Sequence, residues 1–193
     1  MGDEGDDRAD VAEALAGDRE AFGRLVARYQ EVVFRAAWLI VRDAGEAEDL
    51  AQDAFLRAHA ALGSFRPGDP LRPWLLRIAT NLALNAVRAR GRRQGLLARF
   101  GRLRENTPPE PPDVAEATEE QRTLWLAMNE LREEDRVVLY LRHYLELPER
   151  EIAATLRCPQ GTVKSRLHRA SGRLKAIIEA RYPSLAPEGG RRD

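Results

Sequence analysis

Between Gly91 and Ala117 the chain carries three glycines and the run Pro108-Pro109-Glu110-Pro111-Pro112, and no other stretch constrains the fold more. Proline lacks a backbone N–H and fixes φ, so this run cannot continue a helix or join the middle of a sheet. It reads as a tether with an extended, stiff portion. Leu96 to Leu103 has the composition of a short helix, although nothing in the pattern demands one. On either side Ala, Leu, Arg and Glu dominate and β-branched residues rarely run together, which favours helices. A chain of 193 residues divided in this way predicts an all-α protein, two small helical domains on a flexible linker. The predicted boundaries are an acidic tail over 1–8, a helical domain over 9–92, a linker over 93–117, a second helical domain over 118–182 and a tail over 183–193.

Periodicity and capping residues place the helices. Asp18 can cap a helix that buries Phe22, Leu25, Val26, Tyr29, Val33 and Ala37 at spacings of three and four. A second helix is predicted from Glu46 to Leu62, with Leu50, Ala51, Ala54, Phe55, Ala58 and Leu62 on its apolar side and Gly63 as its stop. The prolines and glycine of Ser64-Phe65-Arg66-Pro67-Gly68-Asp69-Pro70 exclude regular structure. A third helix begins with Pro73 at its first position and runs to about Arg90. Beyond the tether, Thr118 and Gln121 have capping-box spacing ahead of Leu124, Trp125, Met128 and Leu131. Another helix carries Val137, Val138, Leu141, Tyr144 and Leu145.

Glu149 to Ala170 has the pattern of a helix-turn-helix. Ile152, Leu156, Val163 and Leu167 are spaced to fill the wedge between two short helices, and small Ala153 lets them cross closely. Pro159 stops the first helix. The second then exposes Lys164, Ser165, His168, Arg169 and Arg173, with no acid among them. Such a face suits the major groove, where Arg and Lys pair with guanine O6 and N7. An ordinary αα-hairpin with a solvated basic face is the plainer reading, but the small residue, the wedge and the acid-free helix together favour DNA.

Formal net charge is zero, yet the charges are segregated. Arg72 to Arg104 holds nine Arg residues and no acid, and Arg157 to Arg181 holds seven Lys and Arg residues against the single acid Glu179. Local basic surfaces bind phosphates whatever the sum. The first seven residues are acidic where a secretory signal would be basic and then apolar. Ala36 to Val41, the longest apolar stretch, is too short to cross a bilayer, so no membrane insertion is expected. A lone Cys158 excludes an intramolecular disulfide and fits a reducing, cytoplasmic compartment. His59, His143 and His168 fall in separate elements and no Cys-x-x-Cys exists, so no metal site is legible. There is no Gly-rich phosphate loop and no nucleophile with a base partner, so neither an enzyme nor a cofactor is expected.

Gly161-Thr162-Val163-Lys164-Ser165-Arg166-Leu167-His168-Arg169-Ala170 resembles the region 4 signature of bacterial sigma factors. Glu46 to Ala58 (EAEDLAQDAFLRA) and Trp74 to Leu82 (WLLRIATNL) resemble two successive pieces of region 2. Order and spacing are similar to those of the extracytoplasmic-function group, which keeps only regions 2 and 4. The resemblance spans about Ala9 to Ala180. Two positions depart from it. Arg157 stands where the turn usually has Gly, a place prone to left-handed backbone, and Asn85 stands where Asp is frequent.

The resemblance implies a transcription initiation factor that binds core RNA polymerase, directs it to promoters and helps to open the duplex. It implies that Glu48, Asp49, Gln52, Asp53 and Leu56 dock on the polymerase clamp. It implies that Phe65, Arg66, Arg72, Arg77, Asn81, Asn85 and Arg88 serve the −10 element, capturing an unstacked base. Trp74 in that helix fits core packing better than base contact. Thr162, Lys164, Ser165, Arg166, His168, Arg169 and Arg173 are implied at the −35 element, Arg173 on the phosphates. Anti-sigma factors are common partners in the group, and no residue here identifies one. The alternatives are a two-domain helix-turn-helix regulator independent of core polymerase, and a helical adaptor with no DNA role.

Overall fold

The computed structural model describes residues 3–66, 68–98 and 118–185. Among them are eight α-helices, two short 3-10 turns and no strand. A first compact unit holds α1 (Asp3–Leu15), α2 (Arg19–Val41), α3 (Ala44–Ala61) and α4 (Leu71–Ala98). A second holds α5 (Glu119–Asn129), α6 (Glu133–His143), the start of α7 (Glu149–Leu156) and α8 (Gln160–Arg181). The tether over 99–117, with its proline run and most of the Leu96 to Leu103 segment, lies outside the described residues, as do Pro67 and 186–193.

In the first unit α2 is the central element, buried along Leu25, Tyr29, Val33 and Ala36 to Val41. Asp18 caps it as predicted, accepting from the N–H groups of Glu20 at 2.8 Å and Ala21 at 3.3 Å. At its far end Arg42 adopts left-handed backbone (φ 58°) and donates its N–H to the Trp38 carbonyl at 2.8 Å. Asp43 then caps α3 by accepting from the N–H of Glu46, which places that helix start two residues ahead of the predicted one. The predicted stop at Gly63 takes another form. The chain tightens into a 3-10 turn over Leu62–Ser64, and the positive φ that needs glycine falls at Gly68 (φ 97°).

Two differences from the sequence reading concern helix extent. Residues from Asp3 onward, predicted as an acidic tail, form the first half of α1. Asp7 and Asp10 are buried against α2, paired with Arg24 and Arg28, and Val11 enters the core. Charge neutralisation and that apolar contact hold the segment down. At the other end of the unit α4 starts at Leu71 and continues through Gly91 to Ala98. Pro73 therefore lies inside the first turn, where a missing N–H still costs nothing. Gly91 and Gly95 each cost the helix about 1 kcal/mol, against which the Arg, Ala, Leu and Gln of the same stretch are strong helix formers.

The second unit opens on the predicted capping box. The Gln121 N–H donates to Thr118 Oγ1 at 3.3 Å, and the Thr118 N–H donates to Gln121 Oε1 at 2.9 Å. Trp125 of α5 stacks on Tyr140 of α6 with ring centres 5.3 Å apart. Helix α6 carries Glu133, Glu134 and Asp135 in its first turn and Arg142 and His143 in its last, which matches the helix dipole at both ends. The predicted tail from 183 begins with a 3-10 turn over Pro183–Leu185.

Candidate nucleic-acid interface

Helices α7 and α8 form the helix-turn-helix. Ile152 and Val163 are fully buried, while Leu156, Leu167 and Ala153 are half-buried. Between the helices Arg157 is left-handed (φ 50°, ψ 49°), the conformation in which a non-glycine residue is strained. Its N–H and that of Cys158 both return to the Ala153 carbonyl, closing the turn. Pro159 precedes the first turn of α8 in extended geometry.

The first three turns of α8 present Lys164, Ser165, His168 and Arg169 to solvent, with Thr162 and Arg166 half-buried beside them. Arg169 Nε donates to the Ser165 carbonyl at 3.2 Å, and Ser165 Oγ donates to the Thr162 carbonyl at 3.0 Å. These bonds lay both side chains along the helix axis. Arg173 differs from its neighbours: Nη1 donates to Asp135 Oδ2 in the first turn of α6. Further on, Arg181 pairs with Glu130, and Tyr182 Oη donates to the same carboxylate at 2.8 Å. No sequence signal marked these acids as partners, because Asp135 lies 38 residues from Arg173 and Glu130 lies 51 residues from Arg181.

In the first unit, α4 brings Trp74, Arg77, Asn81, Asn85 and Arg88 onto one stripe, within about 80° of arc at 100° per residue. Asn81, Asn85 and Arg88 are exposed, and Arg77 is half-buried. Arg72 stands about 140° from Arg77 around the helix and does not join the stripe. Arg66 is exposed on the preceding loop. Phe65 is 7% exposed, its ring 5.1 Å from that of Trp74 and packed in the core. So placed, it has little free face to stack on a base. Trp74 is partly buried against the same core, as its spacing implied.

On α3 all five candidates, Glu48, Asp49, Gln52, Asp53 and Leu56, are exposed. Leu56 is 68% exposed, the largest value among the exposed large apolar side chains described. Three acids around an open leucine make a surface suited to a basic partner with an apolar centre. Arg90 of α4 braces the start of this helix, pairing with Glu46 and donating to the Val41 carbonyl at 3.3 Å. Sequence inspection grouped Arg90 with the basic run and missed this brace.

Residues 25–93 match the family model of sigma-70 region 2, and residues 121–174 match that of sigma-70 region 4. The first match lies within the first unit and the second covers α5 to α8, which defines a two-region transcription initiation factor. Over 183 residues the chain is 37% identical to the RNA polymerase sigma-H factor of Pseudomonas aeruginosa, covering 91% of this chain and 93% of that one. It is 36% identical over 176 residues to the ECF RNA polymerase sigma-E factor of Escherichia coli, covering 85% and 90%. Among solved structures it is similar to CnrH in complex with the cytosolic domain of CnrY, with TM-score 0.65, 28% identity and 91% and 99% coverage. It is similar also to the sigma factor RpoE of Bartonella quintana in complex with the anti-sigma factor NepR, with TM-score 0.65, 27% identity and 83% and 98% coverage. The chain belongs to the extracytoplasmic-function sigma factors. No helix among the described residues is long and apolar enough to cross a membrane.

Proposed function

We propose that this sigma factor divides its work among three surfaces: α3 for polymerase, the α4 stripe for the opened −10 element, and the start of α8 for the −35 duplex. The protein binds core RNA polymerase, directs it to promoters and initiates transcription there. One observation carries the assignment of α8. Lys164, Ser165, His168 and Arg169 are exposed together on the first turns of the second helix of a helix-turn-helix, with no carboxylate among them. A helix entering the major groove offers those turns to base edges. On α3, Glu48, Asp49, Gln52, Asp53 and Leu56 supply charge complementarity and one apolar anchor. On α4, Asn81 and Asn85 supply donors and acceptors for a splayed base, with Arg77 and Arg88 beside them for phosphates and Arg66 at the loop. Duplex opening follows when base capture on α4 offsets the cost of unstacking.

Chemistry stays with the polymerase, so no catalytic role is assigned to this chain. We place its work in the cytoplasm, where polymerase and chromosome meet. By extension from the complexes of CnrH and RpoE, a partner of the anti-sigma type is proposed for this chain too. Run-off transcription on duplex from upstream of its own gene, with and without core polymerase, tests the whole reading. Specific transcripts should require both proteins. Binding and activation of a promoter by this chain alone would instead mark an independent regulator.

A further inference from the structure

We infer that Arg173 is a positioning residue for −35 recognition, holding α8 at its working angle through Asp135 instead of gripping a phosphate. The inference rests on the reading of α8 as the duplex-reading helix and adds a role outside its DNA face.

The geometry separates Arg173 from the residues before it. Counting 100° per residue from buried Val163, Arg169 lies about 120° round the helix, whereas Arg173 lies about 80° round, at the margin of the packed side. Its guanidinium, on a side chain itself 46% exposed, turns to α6 and pairs with Asp135, whose side chain is only 11% exposed. Asp135 sits in the first turn of α6, where the helix dipole favours a carboxylate but leaves it in need of a donor. Transfer of Arg173 to a phosphate would strand that carboxylate in a buried place, which is strongly unfavourable. The pair therefore persists when the protein meets DNA.

Its position makes the pair matter for reading. The far end of α8 is already tied by Arg181 and Tyr182 to Glu130. Arg173 is the anchor nearest the DNA face, one turn beyond Arg169. From Arg173 to Thr162 is about 16 Å along the axis, so a tilt of roughly 5° at the anchor moves Thr162 by about 1.4 Å. Hydrogen bonds to base edges do not survive such a displacement, whereas long side chains on phosphates follow it. Loss of the anchor should thus erode sequence preference and spare the salt-dependent part of binding.

The test uses full-length protein assembled with core polymerase. Probes are duplexes enriched from a random pool by the wild-type holoenzyme, set against scrambled duplexes at several salt concentrations. Arg173→Ala and Asp135→Asn should each lower the preference for enriched over scrambled duplex by about three- to tenfold, and the double variant should lose no more than either alone. The slope of log affinity against log salt should stay within about half a unit of wild type, and Arg173→Lys should restore part of the preference. A slope that falls by about one unit in Arg173→Ala, with preference intact, makes the residue a phosphate contact and overturns the inference. Should Asp135→Asn fail to fold, the slope and preference of Arg173→Ala decide alone. A wild-type holoenzyme with no preference at all would overturn the reading of α8 and this inference with it.

Discussion

Arg28 of α2 donates from Nη1 to Oδ1 of Asp7 at 2.6 Å, a contact between residues 21 apart in sequence that fastens α1 to the first domain. The second nitrogen of Arg28 reaches Asp10 at 2.9 Å, Arg24 reaches the same Asp10 at 2.6 Å, and Tyr29 Oη donates to Asp7 at 2.5 Å. The cluster explains how a segment with five acids in its first ten residues packs instead of trailing. Electrostatic pairing supplies what its sparse apolar face cannot.

The first prediction concerns pH. Burial works to raise the Asp10 carboxyl, but hydrogen bonds from Arg24 and Arg28 and their charges outweigh it, and the group sits below its ordinary value of 3.8. A depressed carboxylate contributes stability that is fully present above the unfolded value and is lost as pH falls through the folded one. Helix α1 should therefore stay docked at neutral pH and loosen below about pH 3.8, before α2 does. Hydrogen exchange of α1 amides relative to α2 amides, followed down in pH, reads this directly. Arg28→Ala should produce the same loosening at pH 7, at a cost of roughly 2 kcal/mol, because each carboxylate loses a charged donor, Asp7 keeping Tyr29 and Asp10 keeping Arg24.

Polymerase docking is the second. Leu56 lies open beside Asp49 and Asp53, and covering a leucine contributes roughly 1.5–3 kcal/mol. Leu56→Ala should weaken core binding about tenfold or more, and Asp49→Arg with Asp53→Arg should weaken it further. Helical circular dichroism should not change, since all three side chains are exposed. Unaltered affinity for core in all these variants would move the docking surface off α3.

Much of this architecture was legible in the sequence, for reasons that differ by element. Two capped helix starts were read closely: Asp18 and Thr118 each accept from the backbone where their type and spacing implied. The left-handed turn at Arg157 was legible because a residue out of place marked it. The ends of α4 were missed because Gly91 and Pro73 are punctuation only when nothing nearby favours helix. The burial of Phe65 was not legible, because its neighbours are loop-forming and loop composition does not say which way one aromatic ring turns. The pairings of Arg173 with Asp135 and Arg90 with Glu46 join residues 38 and 44 apart, and no local pattern encodes them.

A third prediction follows from Arg157. Left-handed backbone costs an L-residue with a Cβ about 1–2 kcal/mol, and glycine avoids that cost while losing more entropy on folding. Arg157→Gly should leave a net gain of about 0.5–1 kcal/mol, visible as a small rise in thermal midpoint. Arg157 is exposed in the turn and outside the exposed stripe of α8, so −35 preference should be retained. A fall in midpoint would mean that the arginine makes a contact worth more than the strain.

The final prediction separates base reading from charge on α8. Arg169 is exposed one turn beyond Ser165 and donates to its carbonyl, which extends the guanidinium along the helix toward the end that would enter the groove. A bidentate arginine–guanine contact discriminates by about 1–3 kcal/mol, and loss of a phosphate contact instead reduces the salt slope by about one. Arg169→Ala in the holoenzyme should therefore cost about 1–3 kcal/mol on enriched duplex, relax the preference at one or two base pairs, and change scrambled duplex far less. Lys164→Ala serves as the comparison, because lysine reaches phosphate as a flexible point charge more readily than it fixes a base. Competition binding against single-base variants of the enriched duplex gives the position-by-position readout. If Arg169→Ala lowers affinity for enriched and scrambled duplex equally, the arginine holds backbone, and the base-reading role passes to Lys164, Ser165 or His168.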